Sequence, residues 1–153
     1  MKTFRGITHI DLVKKHAEAL ALDGTIVGMA IEREVGGKDF VDEDGFDYYL
    51  NNATVECKST SMPMNPNDPS GSFVLRINCN PKSKKGQFQF IHIVDALNDR
   101  EFMIPQKAYW DYVGDAKEFH WSASYNETDN ARPENTKWLL NYPHEPVDIN
   151  TSK

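Results

Sequence analysis

The sequence has few of the features that would place it in a specialised class of protein. Its two cysteines, Cys57 and Cys79, are too few for a disulfide framework or a zinc set. No apolar run approaches the roughly 20 residues that cross a bilayer. The N-terminal segment MKTFRGITHIDLVKK lacks the continuous apolar core of a signal peptide. We therefore expect a reducing, cytoplasmic location and no association with a membrane.

Several common catalytic signatures are also missing. Gly36-Gly37-Lys38 lacks the remainder of a phosphate-binding loop, and no serine has a recognisable histidine–acid relay. His92 lies in an apolar segment and is predicted to be a core histidine with satisfied hydrogen bonds. His144 has no partner at metal-ligand spacing. None of these residues predicts a catalytic centre.

The composition is that of an ordinary globular protein. The chain has 153 residues, of which 39% are hydrophobic, so it can bury a core without disulfides or a structural metal. We expect a single domain over residues 1–145 and a flexible tail over 146–153, with the chain loosely held from Pro143 onward.

Hydrophobic periodicity predicts an α/β protein. Residues 11–22 form an amphipathic helix that Asp11 can cap, and residues 25–37 form a second helix, although their early β-branched residues also suit a strand. Strands are predicted within 44–60, 73–80, 87–97, 101–104 and 117–125. A helix follows Pro105, and a short helix or strand closes the chain at 136–142. One mixed sheet covered by helices accounts for this order.

Residues 44–60, DGFDYYLNNATVECKST, are predicted to form a hairpin. Asn51-Asn52 suits a two-residue turn because asparagine tolerates the left-handed conformation. The resulting register places Asp47 opposite Glu56. Side chains alternate along strands, which separates an apolar face from a polar face: Phe46, Tyr48, Leu50, Ala53, Val55 and Cys57 on the first, and Asp47, Tyr49, Thr54, Glu56 and Lys58 on the second.

Two like charges directly opposite each other destabilise a hairpin. Either this face is open to water, where the repulsion is weak, or a cation lies between Asp47 and Glu56. Carboxylates without histidine or cysteine side chains favour Mg²⁺ or Mn²⁺ over zinc, and the Cys57 carbonyl could join them. Lys58, on the same face, could hold a water molecule or offset charge on a phosphate. Both interpretations remain open at this point.

The pattern Asp47-x8-Glu56-x-Lys58 resembles the signature of the PD-(D/E)xK nuclease superfamily, whose second carboxylate strand typically has an apolar residue before Glu-x-Lys, as Val55 is here. Upstream, residues 28–36 have the form G-x-x-x-E-x-x-x-G with Glu32 at its centre. That segment resembles a helix in MutH-type nicking enzymes and related restriction endonucleases. The resemblance covers roughly residues 27–60.

This resemblance implies a restriction-endonuclease-like core, a mixed sheet of about five strands flanked by helices. It also implies a Mg²⁺-dependent endonuclease of restriction, repair or phage type that hydrolyses phosphodiester bonds in DNA, with Mn²⁺ able to substitute. Asp47, Glu56 and the Cys57 carbonyl would bind the ion. Lys58 would position the attacking water or stabilise the pentacovalent state, and Glu32 would assist the water or hold a second metal ion. Cutting both strands with so small a chain suggests a homodimer.

The match leaves alternatives open. Phe46 stands where the nominal motif has proline. Asp44 could replace Asp47 as the first acid, and Glu34 or Glu18 could replace Glu32. At the level of function, the alternatives are a noncatalytic DNA- or protein-binding domain with the same fold, or a polar or Ca²⁺-binding hairpin in an unrelated domain.

Candidate DNA contacts lie in two polar segments. The run NPKSKKGQ contributes Lys82, Lys84 and Lys85, which could contact phosphates, although such runs are commonly solvated loops. Arg132, in the loop 126–136, could address a guanine edge. The net charge of −6 argues against general coating of nucleic acid. A nuclease needs basic groups only on one face, so the charge does not exclude one.

Overall fold

The computed structural model describes residues 3–17, 26–43, 45–60, 73–78, 88–114, 118–123 and 133–146. The described elements, in chain order, are β1 (Thr3–Phe4), β2 (Ile7–Thr8), α1 (His9–Lys15), α2 (Ile26–Gly36), a 3₁₀ turn (Gly37–Asp39), β3 (Phe40–Glu43), β4 (Phe46–Leu50), β5 (Ala53–Thr60), β6 (Phe73–Asn78), β7 (Phe90–Asp95), β8 (Arg100–Pro105), α3 (Gln106–Val113), β9 (Glu118–Ala123) and α4 (Pro133–Leu139).

A five-stranded mixed sheet forms the centre of the fold, with strand order β3-β4-β5-β7-β8. The pairing of β5 with β7 is parallel, and the other pairings in this sheet are antiparallel. This confirms the predicted α/β class and the mixed central sheet. The expectation of one sheet was wrong, however, because β6 pairs with β9 in a separate two-stranded sheet and β1 pairs with β2 in another. Strand pairing is non-local, so periodicity could not distinguish these arrangements.

The central sheet carries a hydrophobic cluster on each face. On one face Tyr48, Val55 and Cys57 pack with Ala30 and Ile31 of α2. On the other face the strands contribute Ile91, Ile93, Phe102 and Ile104, and the helices contribute Tyr109 of α3 and Leu139 of α4. Helices therefore cover both sides of the sheet, as a strand with a parallel neighbour requires.

The N-terminal cap of the first helix differs from the prediction. α1 begins at His9, and the Thr8 hydroxyl accepts a hydrogen bond of 3.2 Å from the backbone N–H of Asp11. Asp11 was predicted to be the cap, but Thr8 lies three residues ahead of that N–H, where an N-cap oxygen can accept from it. α2 confirms the prediction of a helix rather than a strand. Residues 18–22 of the first predicted helix lie outside the described part of the chain.

The predicted hairpin register is confirmed around the turn. Asn51 and Asn52 have φ angles of 49° and 70°, the left-handed pair that a two-residue turn demands. The ladder then runs through three pairs: Leu50 with Ala53, Tyr49 with Thr54, and Tyr48 with Val55.

Beyond these pairs the predicted faces fail at two residues. Phe46 pairs with Glu43 of β3 and packs on the α3/α4 side of the sheet, not on the Tyr48 side. The β3–β4 ladder has a register shift between Phe40 and Glu43, and the β4–β5 ladder ends at Tyr48, so the regular alternation does not continue to Phe46. Leu50 is 38% exposed, since it lies beside the turn and outside the helical cover. The apolar face therefore does not run the length of β4.

The chain after α4 is attached to β8. Pro143 forms an isolated bridge with Phe102, and the backbone N–H of His144 donates to the Glu101 carbonyl at 2.9 Å. The N–H of Met103 donates to the carbonyl of Tyr142 at 3.0 Å. The expectation that the chain is loosely held from Pro143 onward was therefore wrong for Pro143 and His144. Residues 147–153 lie outside the described part.

Gly36 lets the end of α2 approach the sheet closely. A Cβ at this position would lie 2.8 Å from the Cβ of Phe40 and 3.0 Å from that of Tyr48. We expect Gly36→Ala to lower the free energy of unfolding by about 1–3 kcal/mol, because overpacking outweighs the gain in helix propensity. Urea denaturation measures this change.

Gly37→Ala is the matched control. Gly37 has φ +52°, and no atom of the described residues lies within 4 Å of the point that its Cβ would occupy. Its replacement therefore costs only backbone strain, about 1 kcal/mol. A Gly36→Ala protein as stable as the original would contradict the close contact.

Candidate functional site

Strands β4 and β5 separate at Asp47. The backbone N–H of Cys57 donates to the Asp47 carboxylate at 2.7 Å, instead of continuing the hairpin ladder that ends at Tyr48 and Val55. Asp47 is only 8% exposed. This hydrogen bond connects the Asp47 carboxylate to β5, the strand that carries Glu56. Because the carboxylate is charged, the bond is stronger than one between neutral groups.

Glu56 and Lys58 lie on β5 next to this contact. Lys58 Nζ lies 3.2 Å from Glu56 Oε1, and the two side chains are 34% and 8% exposed. Glu56 is thus a nearly buried carboxylate, and the lysine with which it forms an ion pair is partly exposed at the surface. The predicted pairing of Asp47 with Glu56 does not form, because the ladder ends at Tyr48 and Val55; Asp47 instead meets β5 at Cys57, the residue after Glu56.

Glu32 of α2 lies close enough to Cys57 to affect its thiol. Burial raises the pKa of the Cys57 thiol well above its ordinary value, and the carboxylates of Glu32, Asp47 and Glu56 raise it further, Glu32 more than the other two. The three acids of the predicted motif therefore all act on one buried side chain. A concentration of negative charge in a low-dielectric setting is unfavourable unless a cation or a proton offsets it.

The alternative acids can be compared with this arrangement. Glu34 faces α1, where its oxygens lie 2.8 Å from His16 Nε2 and 3.0 Å from Lys15 Nζ. Glu34 is therefore bound to residues at the end of α1, away from Cys57. Glu32 is the better match to the glutamate that the resemblance places on this helix. Asp44 and Glu18 lie outside the described residues.

The donor set around Asp47 and Glu56 fits a hard cation. Both residues offer carboxylate oxygens, and the Cys57 carbonyl is a third oxygen on the same strand. The side chains of Glu32, Asp47 and Glu56 do not form a trio within 4.8 Å, since the described residues contain such a trio only at His92, Glu101 and His144. Any ion held by Asp47 and Glu56 would thus depend on the main chain and on water for its remaining ligands.

The predicted DNA contacts cannot be placed. Lys82, Lys84, Lys85 and Arg132 lie outside the described residues, so their role stays a prediction.

The sequence did not reveal the cluster around His92. His92 Nδ1 lies 2.7 Å from the Tyr48 hydroxyl, and its Nε2 lies 2.8 Å from Glu101 Oε1. This confirms the predicted core histidine with satisfied nitrogens. Glu101 also accepts two hydrogen bonds from the Arg5 guanidinium, at 2.8 and 3.0 Å. The His144 ring centroid lies 5.0 Å from that of His92.

His144 was expected to have no partners because none lies at metal-ligand spacing in the sequence. The expectation was wrong: the bridge between Pro143 and Phe102 brings it beside Glu101. The segment that carries it follows α4 and has no strand pattern of its own. No local signal could have located this contact.

The protein was compared with family models, with curated proteins and with solved structures, and none of the three searches finds a match. No helix in the described part of the chain has the length and apolar character needed to span a membrane.

The buried Glu101–His92 pair should make stability depend on pH. Burial raises the pKa of Glu101, but hydrogen bonds from His92 and Arg5 outweigh it and hold the pKa at about 2, below the ordinary 4.5. Burial lowers the pKa of His92 below its ordinary 6.5, partly offset by Glu101. Both effects favour the native state at neutral pH, so we expect stability to fall as the pH drops below 6.5 and then, through Glu101, between 4.5 and 2.

Glu101→Gln should remove the lower part of this decline, which we expect to amount to about 2–3 kcal/mol. Urea unfolding at a series of pH values measures it. Asp111→Asn, which breaks an exposed ion pair with Lys107, should leave the decline intact. If the stability of Glu101→Gln still fell between pH 4.5 and 2 as it does in the original protein, the assignment of this decline to Glu101 would be contradicted.

Proposed function

We propose that this protein is a Mg²⁺-dependent endonuclease that hydrolyses phosphodiester bonds in DNA. The observation that carries the proposal is the hydrogen bond between the Asp47 carboxylate and the N–H of Cys57. It ties the first acid of the motif to the strand that bears Glu56 and Lys58. The resemblance of these residues to the PD-(D/E)xK superfamily supplies the reaction.

The acids fit the proposed cofactor. Asp47, Glu56 and the Cys57 carbonyl would hold Mg²⁺, or Mn²⁺ in its place, and the ion would polarise the scissile phosphate and acidify a bound water molecule. Asp47 and Glu56 are 8% and 6% exposed, so two charges are largely withdrawn from water. A divalent cation would offset that charge more fully than Lys58 does alone.

The remaining residues have separable roles. Lys58 is about one-third exposed, which allows its ammonium group to meet a substrate phosphate from solvent. There it would orient the attacking water or offset the charge that develops on the phosphate. Glu32 would assist the water from α2, a role that the resemblance supplies; its carboxylate also raises the pKa of the Cys57 thiol, next in sequence to Glu56.

DNA as the substrate rests on the resemblance and on the lysine run. With a net charge of −6, the chain must confine its phosphate contacts to one face, for which Lys82, Lys84 and Lys85 are the candidates. A homodimer would provide two sites for cutting both strands. A cytoplasmic location would give the enzyme access to intracellular DNA.

Cleavage of supercoiled plasmid in the presence of Mg²⁺ or Mn²⁺ tests the proposal. Lys58→Ala and Asp47→Asn should each reduce the rate of cleavage by about 100-fold or more, because each removes a group that acts on the reacting phosphate or its metal. Lys107→Ala is the control, since Lys107 is an exposed lysine that forms an ion pair with Asp111 on α3, and it should cleave at the original rate.

Absence of cleavage with both metals would refute the proposed activity, and equal cleavage by Lys58→Ala and Asp47→Asn would refute its assignment to this site. The noncatalytic alternative makes a different prediction: DNA should be retarded in a gel with no cleavage, and Lys58→Ala should bind as the original protein does.

Two variants on α2 test which glutamate of this helix assists the attacking water. Glu32→Gln should reduce plasmid cleavage at least about 10-fold, because it removes the α2 carboxylate that acts on the proposed metal-binding strand. Glu34→Gln should retain most of the activity, since Glu34 is engaged by His16 and Lys15. The reverse order of rates would assign the role to Glu34.

A further inference from the structure

We propose that His92, Glu101 and His144 form a second metal site, one suited to Zn²⁺. One ligand atom of each residue lies within 4.8 Å of the other two, and in the described part of the chain this is the one trio that meets that spacing. The proposal does not rest on the nuclease function.

Three separate segments bring the ligands together. His92 belongs to β7, and its neighbour across the ladder on β8 is Met103. Glu101 lies two residues before Met103 and so points to the same face as His92. His144 arrives from the chain after α4, where its own backbone N–H donates to the Glu101 carbonyl at 2.9 Å. The cluster is therefore built on the sheet and on a segment bonded to it.

The donor set has the composition of a zinc centre. Two imidazole nitrogens and one carboxylate oxygen form the His₂Glu set found at catalytic zinc ions, with bonds of about 2.0–2.2 Å. Ligand atoms around such an ion lie about 3.4 Å apart in a tetrahedron. His92 Nε2 and Glu101 Oε1 are already 2.8 Å apart, and the third atom lies within 4.8 Å. Small rotations of the side chains would complete the geometry.

Neighbouring side chains orient two of the ligands. The Tyr48 hydroxyl lies 2.7 Å from His92 Nδ1, so Nε2 would bind the ion while Nδ1 carries the proton and donates it to the tyrosine oxygen. Arg5 donates to both oxygens of Glu101 and fixes the plane of the carboxylate. Such outer contacts set the tautomer and direction of metal ligands.

The fourth coordination position would face an open cavity. Glu101 and His144 line a cavity of about 820 Å³, together with Arg5, Glu34, Phe102 and Pro143. Three protein ligands with one open position are typical of catalytic rather than structural zinc. A water molecule or a small anionic ligand could therefore reach the ion, and Arg5 supplies a positive charge at the same wall.

Metal binding by the full chain, without any activity measurement, tests the proposal. The purified protein is stripped with a chelator and titrated with Zn²⁺ by calorimetry, and with Co²⁺ to observe the visible d–d band of a tetrahedral site. We expect one ion per chain at this site. Saturating Zn²⁺ should also raise the thermal unfolding midpoint, because the ion binds the folded state.

Variants distinguish this site from others. His144→Ala should weaken Zn²⁺ binding at least about 10-fold and abolish the tetrahedral Co²⁺ band, while His16→Ala and Asp111→Asn, a change at an exposed residue that pairs with Lys107, should bind as the original does. Asp47→Asn tests whether the zinc instead occupies the proposed Mg²⁺ site. His144→Gln, which keeps the polar character of the segment, should behave like His144→Ala. The unfolding midpoint measured without metal shows that each variant is folded.

Failure to bind Zn²⁺, or equal binding by the folded His144 variants, would overturn the proposal. Loss of binding in His16→Ala or Asp47→Asn, with His144→Ala unaffected, would place the ion elsewhere and would also overturn it.

Discussion

The parallel pairing of β5 with β7 is the interaction on which the rest of the structure depends. It joins six residue pairs, from Val55–Phe90 to Thr60–Asp95, and backbone bonds extend it at both ends, from Gln89 to Thr54 and from Ala96 to Thr60. A hairpin alone is marginally stable in water. Once β5 has a parallel neighbour, both faces of the sheet must be covered, which α1 and α2 do on one side and α3 and α4 on the other.

The same pairing explains why chemically active groups are buried. In a strand covered on both faces, side chains that alternate in direction all meet protein rather than water. Glu56 is therefore withdrawn from solvent, and Cys57 lies directly beside His92 in the register. Glu56 pairs with Ile91 and therefore points to the opposite face of the sheet from Cys57 and His92. The two candidate sites also differ in chemistry: carboxylates and a carbonyl at Asp47 and Glu56, and imidazoles with a single carboxylate at His92.

The predictions were most successful for features that depend on neighbouring residues in the sequence. The Asn51-Asn52 turn requires two left-handed residues, so the hairpin register around it followed from the residue types alone. Glu56 and Lys58 form an ion pair two residues apart on one strand, whereas the position of Asp47 depends on its bond to Cys57. Predictions that depended on which strands pair were less successful. Phe46 lies on the other face because the regular pairing of β4 with β5 stops at Tyr48, and β6 lies outside the central sheet because β9 is its partner.

By itself the sequence determined the hairpin turn and predicted most of the longer helices and strands, since these depend on spacing along the chain. Glu32, Asp47 and Glu56 remain predicted site residues. Only the tertiary structure decided that Glu34 is engaged by α1 and that the Asp47 carboxylate bonds to β5. It also decided that His144 joins His92 and Glu101. The last contact spans three segments distant in sequence. The free energy that forms it comes from pairing along β8 and burial against the sheet, which no spacing of residue types encodes.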